Sequence, residues 1–219
     1  MTDKNLAIAR RAAIVRQCLS PEVRRAQMLD VAERVFGQFG YQGTTIEDIA
    51  TAAGVARDAL YGEFRDKDEL YLECARRART ELEVAFTQAA LSQPELQDQM
   101  EAGHTAYFRF VQERGWRWDI LFGVGAAVAG PVAAEAAALR FATAERVSLI
   151  LLAVQPHLSQ EEAAAYAHVV SGAAEQLAKW WRANQHVSLE QIVAYQLNVV
   201  WHGLVAQADP GLVAPAIGR

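Results

Sequence analysis

The sequence predicts an all-α protein of roughly nine or ten helices, at about 11 residues each plus short connections. Apolar residues make up 52% of the 219 positions, and alanine, which loses no side-chain entropy in a helix, supplies much of that share. Only six prolines interrupt the chain. Apolar residues recur at three- and four-residue spacing, and several of these stretches open on a recognisable helix cap.

Ser20-Pro21-Glu22 is such a start: a serine at the N-cap, a proline where its missing N–H costs nothing, and an acid facing the positive helix end. The helix runs to about residue 39, with Leu29, Ala32, Val35, Phe36 and Phe39 expected on one face and Arg24, Arg25, Asp30 and Glu33 off it. Gly40-Tyr41-Gln42-Gly43 ends it. Thr45 caps the next helix, Asp48 returns the bond, and Ile46, Ile49 and Ala50 form its buried side. Gly54 supplies a tight turn. A third helix over 55–64 buries Val55, Leu60 and Phe64 and turns Arg57, Asp58, Tyr61, Gly62 and Glu63 outward. Two short helices joined by a glycine-containing turn are the arrangement that lays a recognition helix in a DNA major groove. A plain solvated face is the competing reading of the same exposure.

Asp66 caps a fourth helix, with Glu69 completing the box. It runs to about residue 91, where Ser92-Gln93-Pro94 breaks it. A fifth covers 95–114, with Leu96, Met100, Tyr107 and Val111 on one stripe and His104 and Phe108 beside it, and Gly115 ends it. Residues 116–122 form a short aromatic segment before the glycine-rich stretch 123–130; another helix opens at Pro131 and continues to about residue 154. Ser159-Gln160-Glu161-Glu162 and Ser188-Leu189-Glu190-Gln191 are complete capping boxes for two final helices. The last carries Ile192, Val193, Tyr195, Leu197, Val199, Val200, Trp201 and Leu204 over more than one stripe, so it needs partners on more than one side. One side meets its own domain, and a second copy of the chain covers the other in an isologous four-helix interface.

The formal charge is −5, so the chain as a whole does not coat nucleic acid. Its first 25 residues nonetheless hold Lys4, Arg10, Arg11, Arg16, Arg24 and Arg25 against Asp3 and Glu22, a basic arm on an acidic body. Cys18 and Cys74 are too few for a disulfide framework or a metal site and fit a reducing cytoplasm. Apolar runs are shorter than the roughly 20 residues of a membrane helix, and arginines break up any secretory signal, so no membrane partner is expected. Neither a nucleophile with its base, nor paired acids, nor a phosphate loop is evident, which argues against an enzyme. No cofactor or metal is implied.

The helix-turn-helix stretch resembles the DNA-binding domain of the TetR family of transcriptional regulators. Met28-Leu29, Ala32, Phe36, Gly40-Tyr41, Thr44-Thr45, Asp48-Ile49-Ala50, Ala53-Gly54-Val55, Leu60-Tyr61, Phe64, Lys67 and Leu70 carry the likeness in order and spacing. It implies that Thr44, Thr45, Tyr61 and Lys67 grip phosphates while the outward residues of the third helix, Arg57, Asp58, Gly62 and Glu63, meet base edges. Hydroxyls, a phenol and an ammonium are suitable phosphate donors. Arg57 suits bidentate reading of guanine, or it holds a phosphate. The chain departs from the pattern at Ala56, where a capping hydroxyl is usual, and at Glu63, where an aromatic or His is usual. An acid in that place accepts from a base amino group, cytosine N4 being the natural partner.

The organisation that follows is a basic arm over 1–20, a DNA-binding domain over 21–67 and a ligand-binding and dimerisation domain over 68–219. The resemblance further implies a repressor, released from a palindromic operator in double-stranded DNA by a small, largely apolar inducer, with His104, Tyr107, Trp118 and Phe122 lining the inducer site. The same aromatics also read as ordinary core. An alternative is a dimer that binds DNA without any small-molecule effector. Cys74, near Arg76 and Arg77, is either a buried inert thiol or a redox sensor.

Overall fold

The computed structural model describes residues 20–123 and 132–208, Val154 and the last eight by their backbone alone. Among them are nine helices: α1 (Pro21–Phe39), α2 (Ile46–Ala53), α3 (Arg57–Glu63), α4 (Lys67–Leu91), α5 (Leu96–Glu113), α6 (Gly115–Phe122), α7 (Ala133–Val154), α8 (Gln160–Ala183) and α9 (Leu189–Ala208). The basic arm before Ser20, Cys18, the glycine-rich run from Val124, Pro131 and the tail 210–219 lie outside the described residues.

The written caps are made. Ser20 accepts from Val23 N–H, and Thr45–Asp48 and Ser159–Glu162 form reciprocal capping boxes. Ser188 and Gln191 exchange the same two bonds. The Asp66 box closes differently, because Glu69 reaches past the cap to accept from Arg65 N–H. Gly54 ends α2 in the left-handed conformation, φ 64°, that a side chain would strain. The third helix is shorter than its apolar pattern suggests, beginning at Arg57 behind Ala56, which makes no side-chain cap bond.

One hydrophobic cluster runs from Met28 and Phe36 on α1 through Ile49, Leu60, Leu70 and Leu82 to Trp118 on α6 and Ile192 on α9. Two residues of α1 exchange their expected places: Phe39 at the helix end is exposed, while Glu33 is completely buried. The reason is α6. The aromatic segment folds as a helix of its own, hinged from α5 at Arg114, and packs across α1 and α4. Arg117 on α6 donates to Glu33 at 2.7 Å, and Arg77 on α4 bonds Asp30 at 2.7 Å. Glu81 on α4 pairs with both Arg114 and Arg117. The backbones approach so closely that a Cβ on Gly37 would lie 2.4 Å from the carbonyl oxygen of Trp116. Tyr71 on α4 donates to the Ile120 carbonyl of α6 at 2.9 Å. The short α6 therefore touches both the helix-turn-helix and the larger helical body.

Cys74 lies in this packed region with no exposed surface. Burial, reinforced by the Glu33 charge, pushes its thiol well above the ordinary value. A thiol held protonated is the inert form, not the sensor.

Candidate functional site

α3 stands on the packed α1–α2 frame by Leu60 and the flanking Phe64, 1% and 2% exposed. Its other residues face out: Arg57, Asp58, Tyr61 and Gly62 are exposed and Glu63 is half-buried. Arg57 donates to the Tyr61 hydroxyl at 3.1 Å, and its guanidinium lies 5.3 Å from the Tyr61 ring centroid. The pair is thus held in a forked, outward pose, with the phenol proton still free to donate. A Cβ on Gly62 would meet nothing within 4 Å, so the fold itself does not require glycine there.

The four residues expected to grip phosphate are not equivalent. Thr44 is 1% exposed, and its hydroxyl donates to the Gly40 carbonyl at 2.7 Å. The structure removes it from the phosphate-facing set, because a buried hydroxyl with its proton committed inward holds the loop instead. Thr45 is exposed, but its hydroxyl donates to Asp48 at 2.6 Å while accepting from Asp48 N–H. Tyr61 is exposed. Lys67 donates to the carbonyls of Tyr41 and Thr44, both at 3.0 Å, and lies 4.1 Å from the Tyr41 ring centroid. Two of its three protons brace the α1–α2 loop, leaving one for an anion. Tyr41 is itself anchored to Asp68; burial, then that bond, pushes its phenol up to about 12.

Sequence reasoning missed Arg25. Its guanidinium lies 4.4 Å from the Phe64 ring centroid, and 3.7 Å separates it from Glu73. This places a cation at the foot of α3. Only its position in the basic segment could have signalled it.

A second feature lies in the helical body. A cavity of about 380 Å³ opens between α4, α5, α7 and α8, lined mainly by apolar residues. His104, Tyr107 and Phe122 line it. Trp118 does not: it is 1% exposed and lies one layer behind, its indole N–H donating to the Tyr107 hydroxyl at 3.0 Å. Burial lowers the His104 pKa and raises that of Tyr107, so both are neutral. His104 Nδ1 faces the Met100 carbonyl at 2.7 Å and must carry the proton, which leaves Nε2 an acceptor. Arg140, Thr143, Ser171 and Glu175, with Gln99, Gln155 and His168, complete the polar part of the lining, and nothing in their local sequence pattern marks them. Among the described residues no group of three His, Cys, Asp or Glu side chains could hold a metal.

Two family patterns match this chain: that of bacterial regulatory proteins of the tetR family over residues 28–74, and that of the tetracyclin repressor-like C-terminal domain over 96–203. The chain is a TetR-family transcriptional regulator. The HTH-type transcriptional activator FasR of Mycolicibacterium smegmatis is 31% identical over 104 residues, 48% of this chain and 48% of FasR. The HTH-type transcriptional regulator AcrR of Shigella flexneri is 49% identical over 49 residues, 22% of this chain and 23% of AcrR. The matches thus span about half of one curated relative and less than a quarter of the other. A TetR-family regulator from Streptomyces coelicolor has the same fold, with a TM-score of 0.72 at 22% identity over 89% of this chain and 86% of that one. AibR, solved with isovaleryl coenzyme A and operator DNA, gives 0.62 at 18% identity over 84% and 97%.

TetR-family proteins are DNA-binding regulators and not enzymes, and ligand binding and dimerisation are typical of them. No described helix of this regulator is long and apolar enough to cross a membrane.

Proposed function

We propose that this TetR-family regulator is a repressor that, as a homodimer, holds a palindromic operator until a small, largely apolar inducer enters the α4–α8 cavity. In this reading residues 21–67 read DNA and 68–219 sense the ligand and dimerise. Arg57, Asp58, Gly62 and Glu63 meet base edges, while Thr45, Tyr61 and the third proton of Lys67 meet phosphates. Thr45 would exchange its bond to Asp48 for one to a phosphate.

The observation that carries the reading is the position of α6. Phe122 lines the cavity, Trp118 holds Tyr107 in its wall, and Trp116 and Arg117 of the same helix abut Gly37 and Glu33 on α1. A ligand that displaces the cavity wall therefore acts on a helix locked to the DNA-binding unit. Moving a bound population from 99:1 to 1:99 takes about 5.5 kcal/mol of differential affinity between the two dimer states.

Dimerisation through α8 and α9 is supported by an exposed apolar surface. Val169 and Trp180 on α8 and Tyr195 and Val199 on α9 are 67%, 45%, 47% and 73% exposed. From Gln191 onward α9 contains no acid, lysine or arginine. Such a face suits an isologous contact. AibR was solved with an acyl-CoA and operator DNA together, a precedent for the two-ligand scheme rather than for the ligand.

Mapping the protein's binding sites across its genome should return a palindrome with half-sites about one helical turn or more apart. Fluorescence anisotropy on that palindrome then tests release by candidate inducers. A site without two-fold symmetry, or a monomer in light scattering at micromolar concentration, defeats the dimer. Ligands that bind without altering operator affinity would favour a dimer acting without an effector.

A further inference from the structure

The cavity has two chemically different ends. α7 and α8 run antiparallel, and the contact between Arg140 and Glu175 sets their register. One turn further along, that register brings Thr143 on α7 opposite Ser171 on α8. Their hydroxyl oxygens are buried and without a hydrogen-bond partner, which is uncommon and calls for a cause. Tyr107 belongs to the same end: its hydroxyl accepts from Trp118 and so retains a free proton, and it senses the Glu175 charge. Eleven residues along α7 from Arg140, about 16 Å at the helical rise, Leu151 lines the cavity with Met100 and Phe86, and the uncharged Gln99 and Gln155 line it as well.

The polar end is rich in donors and net positive. Glu175 accepts from Arg140 and, at 2.6 Å, from Lys179, so two cations share one carboxylate and one positive charge is left over. The Thr143 and Ser171 hydroxyls have no hydrogen-bond partner, and the acceptors in the surrounding lining are His104, His168 and the Glu175 carboxylate already shared by Arg140 and Lys179. An elongated apolar channel ending in unpaired donors and surplus positive charge recognises an acyl chain that ends in an anionic oxygen acceptor.

We propose that the cavity takes an aliphatic monocarboxylate, with its carboxylate at Arg140, Thr143, Ser171 and Tyr107 and its chain along Met100, Phe86 and Leu151. The assignment rests on the inducer reading above. It also gives that reading a direction: the headgroup sits against Tyr107 and Phe122, the two wall residues in contact with Trp118 of α6. The chain supplies affinity, and the headgroup acts on α6.

The test titrates the full-length protein with decanoate, methyl decanoate, decyl alcohol and decyltrimethylammonium, reading heat of binding and operator release in parallel. Decanoate should bind at least about tenfold tighter than its methyl ester, which keeps the carbonyl and loses the charge. Arg140→Gln should shrink that difference to within about twofold. Thr143→Val and Ser171→Ala, which remove hydroxyls with no partner in the free protein, should weaken decanoate severalfold without lowering the melting temperature. Equal or tighter binding of ester, alcohol or ammonium, or no binding of any of the four, overturns the carboxylate assignment. If the ester or alcohol binds and releases the operator, the ligand class is wrong and the inducer reading stands. If decanoate binds as expected but the operator stays bound, the inducer reading fails and the ligand class stands.

Discussion

Replacing Gly62 by alanine should move stability and DNA affinity in opposite directions. Gly62 is the penultimate residue of α3, its φ is not positive, and a Cβ added there meets nothing within 4 Å. The free protein therefore gains only what alanine contributes over glycine in a helix, about 0.5–1 kcal/mol, at the low end because this is the last turn. For a chain of this length that raises Tm by about 1–3 °C. In the proposed complex the same methyl group enters a surface that glycine leaves open to a base edge. An overpacked contact costs about 1–3 kcal/mol, and each 1.4 kcal/mol is tenfold in Kd. Differential scanning fluorimetry and anisotropy on the mapped operator read the two effects separately. A Tm that rises with no loss of affinity would remove Gly62 from the interface, and a Tm that falls would contradict the open space around it.

Glu63→Gln should change the preferred base at one operator position in a binding selection, since it replaces an obligate acceptor with a group that also donates; an unchanged preference excludes Glu63 from base reading. Thr44→Val should lower stability by about 1–2 kcal/mol, through the orphaned Gly40 carbonyl, yet leave the salt dependence of operator binding unaltered, whereas a flattened slope would return Thr44 to the phosphate set. Lys67→Met should both lower Tm, by loosening the loop it braces through Tyr41 and Thr44, and reduce the salt slope by about one unit for every sequence alike. His104 has a folded pKa lowered by burial, so the stability carried by its neutral form is complete above the unfolded value of about 6.5 and is lost as pH falls below it. Urea denaturation from pH 7 to pH 5 should show this loss, and His104→Gln should flatten it.

Local rules made the helix-turn-helix legible. Ser20, Thr45, Asp66, Ser159 and Ser188 cap helices where the sequence writes them, because a cap and its partner lie within three residues of each other. Glu33 was not legible. Helical periodicity assigns it to solvent, and its burial is tolerable because Arg117, 84 residues away, donates to it and Arg77 lies 3.4 Å off. Thr44 is a related case: the family resemblance implies a phosphate contact, whereas the Gly40 turn buries its hydroxyl and takes its proton, which no three-residue rule reports. In the cavity, His104, Tyr107 and Phe122 stand where the family resemblance implies lining residues, and Trp118 does not. Nothing in the sequence points to Arg140, Thr143, Ser171 and Glu175, since their role arises from the register of α7 against α8, which neither helix encodes alone.

The joint between α1, α4 and α6 is built in a way that favours geometry over strength. Burial raises the Glu33 pKa despite the pull of Arg117 and Arg77, so desolvation outweighs the attraction there. A buried ion pair of this kind contributes little net stability, and an apolar pair of similar volume would hold the helices together as well. What the charges add is direction. Arg117 reaches Glu33 and Glu81 at once, and Arg114 also pairs with Glu81, so α6 cannot slide along α1 or α4 without weakening these pairs and leaving the buried Glu33 to Arg77 alone. The near-contact of Gly37 with Trp116 blocks approach from the remaining side. Under the proposed mechanism this stiffness is what lets a headgroup at Tyr107 and Phe122 act on α3. A compliant apolar joint would absorb a small displacement of α6, whereas this one passes it to α1, and the Arg57–Tyr61 pair moves with the frame that carries it.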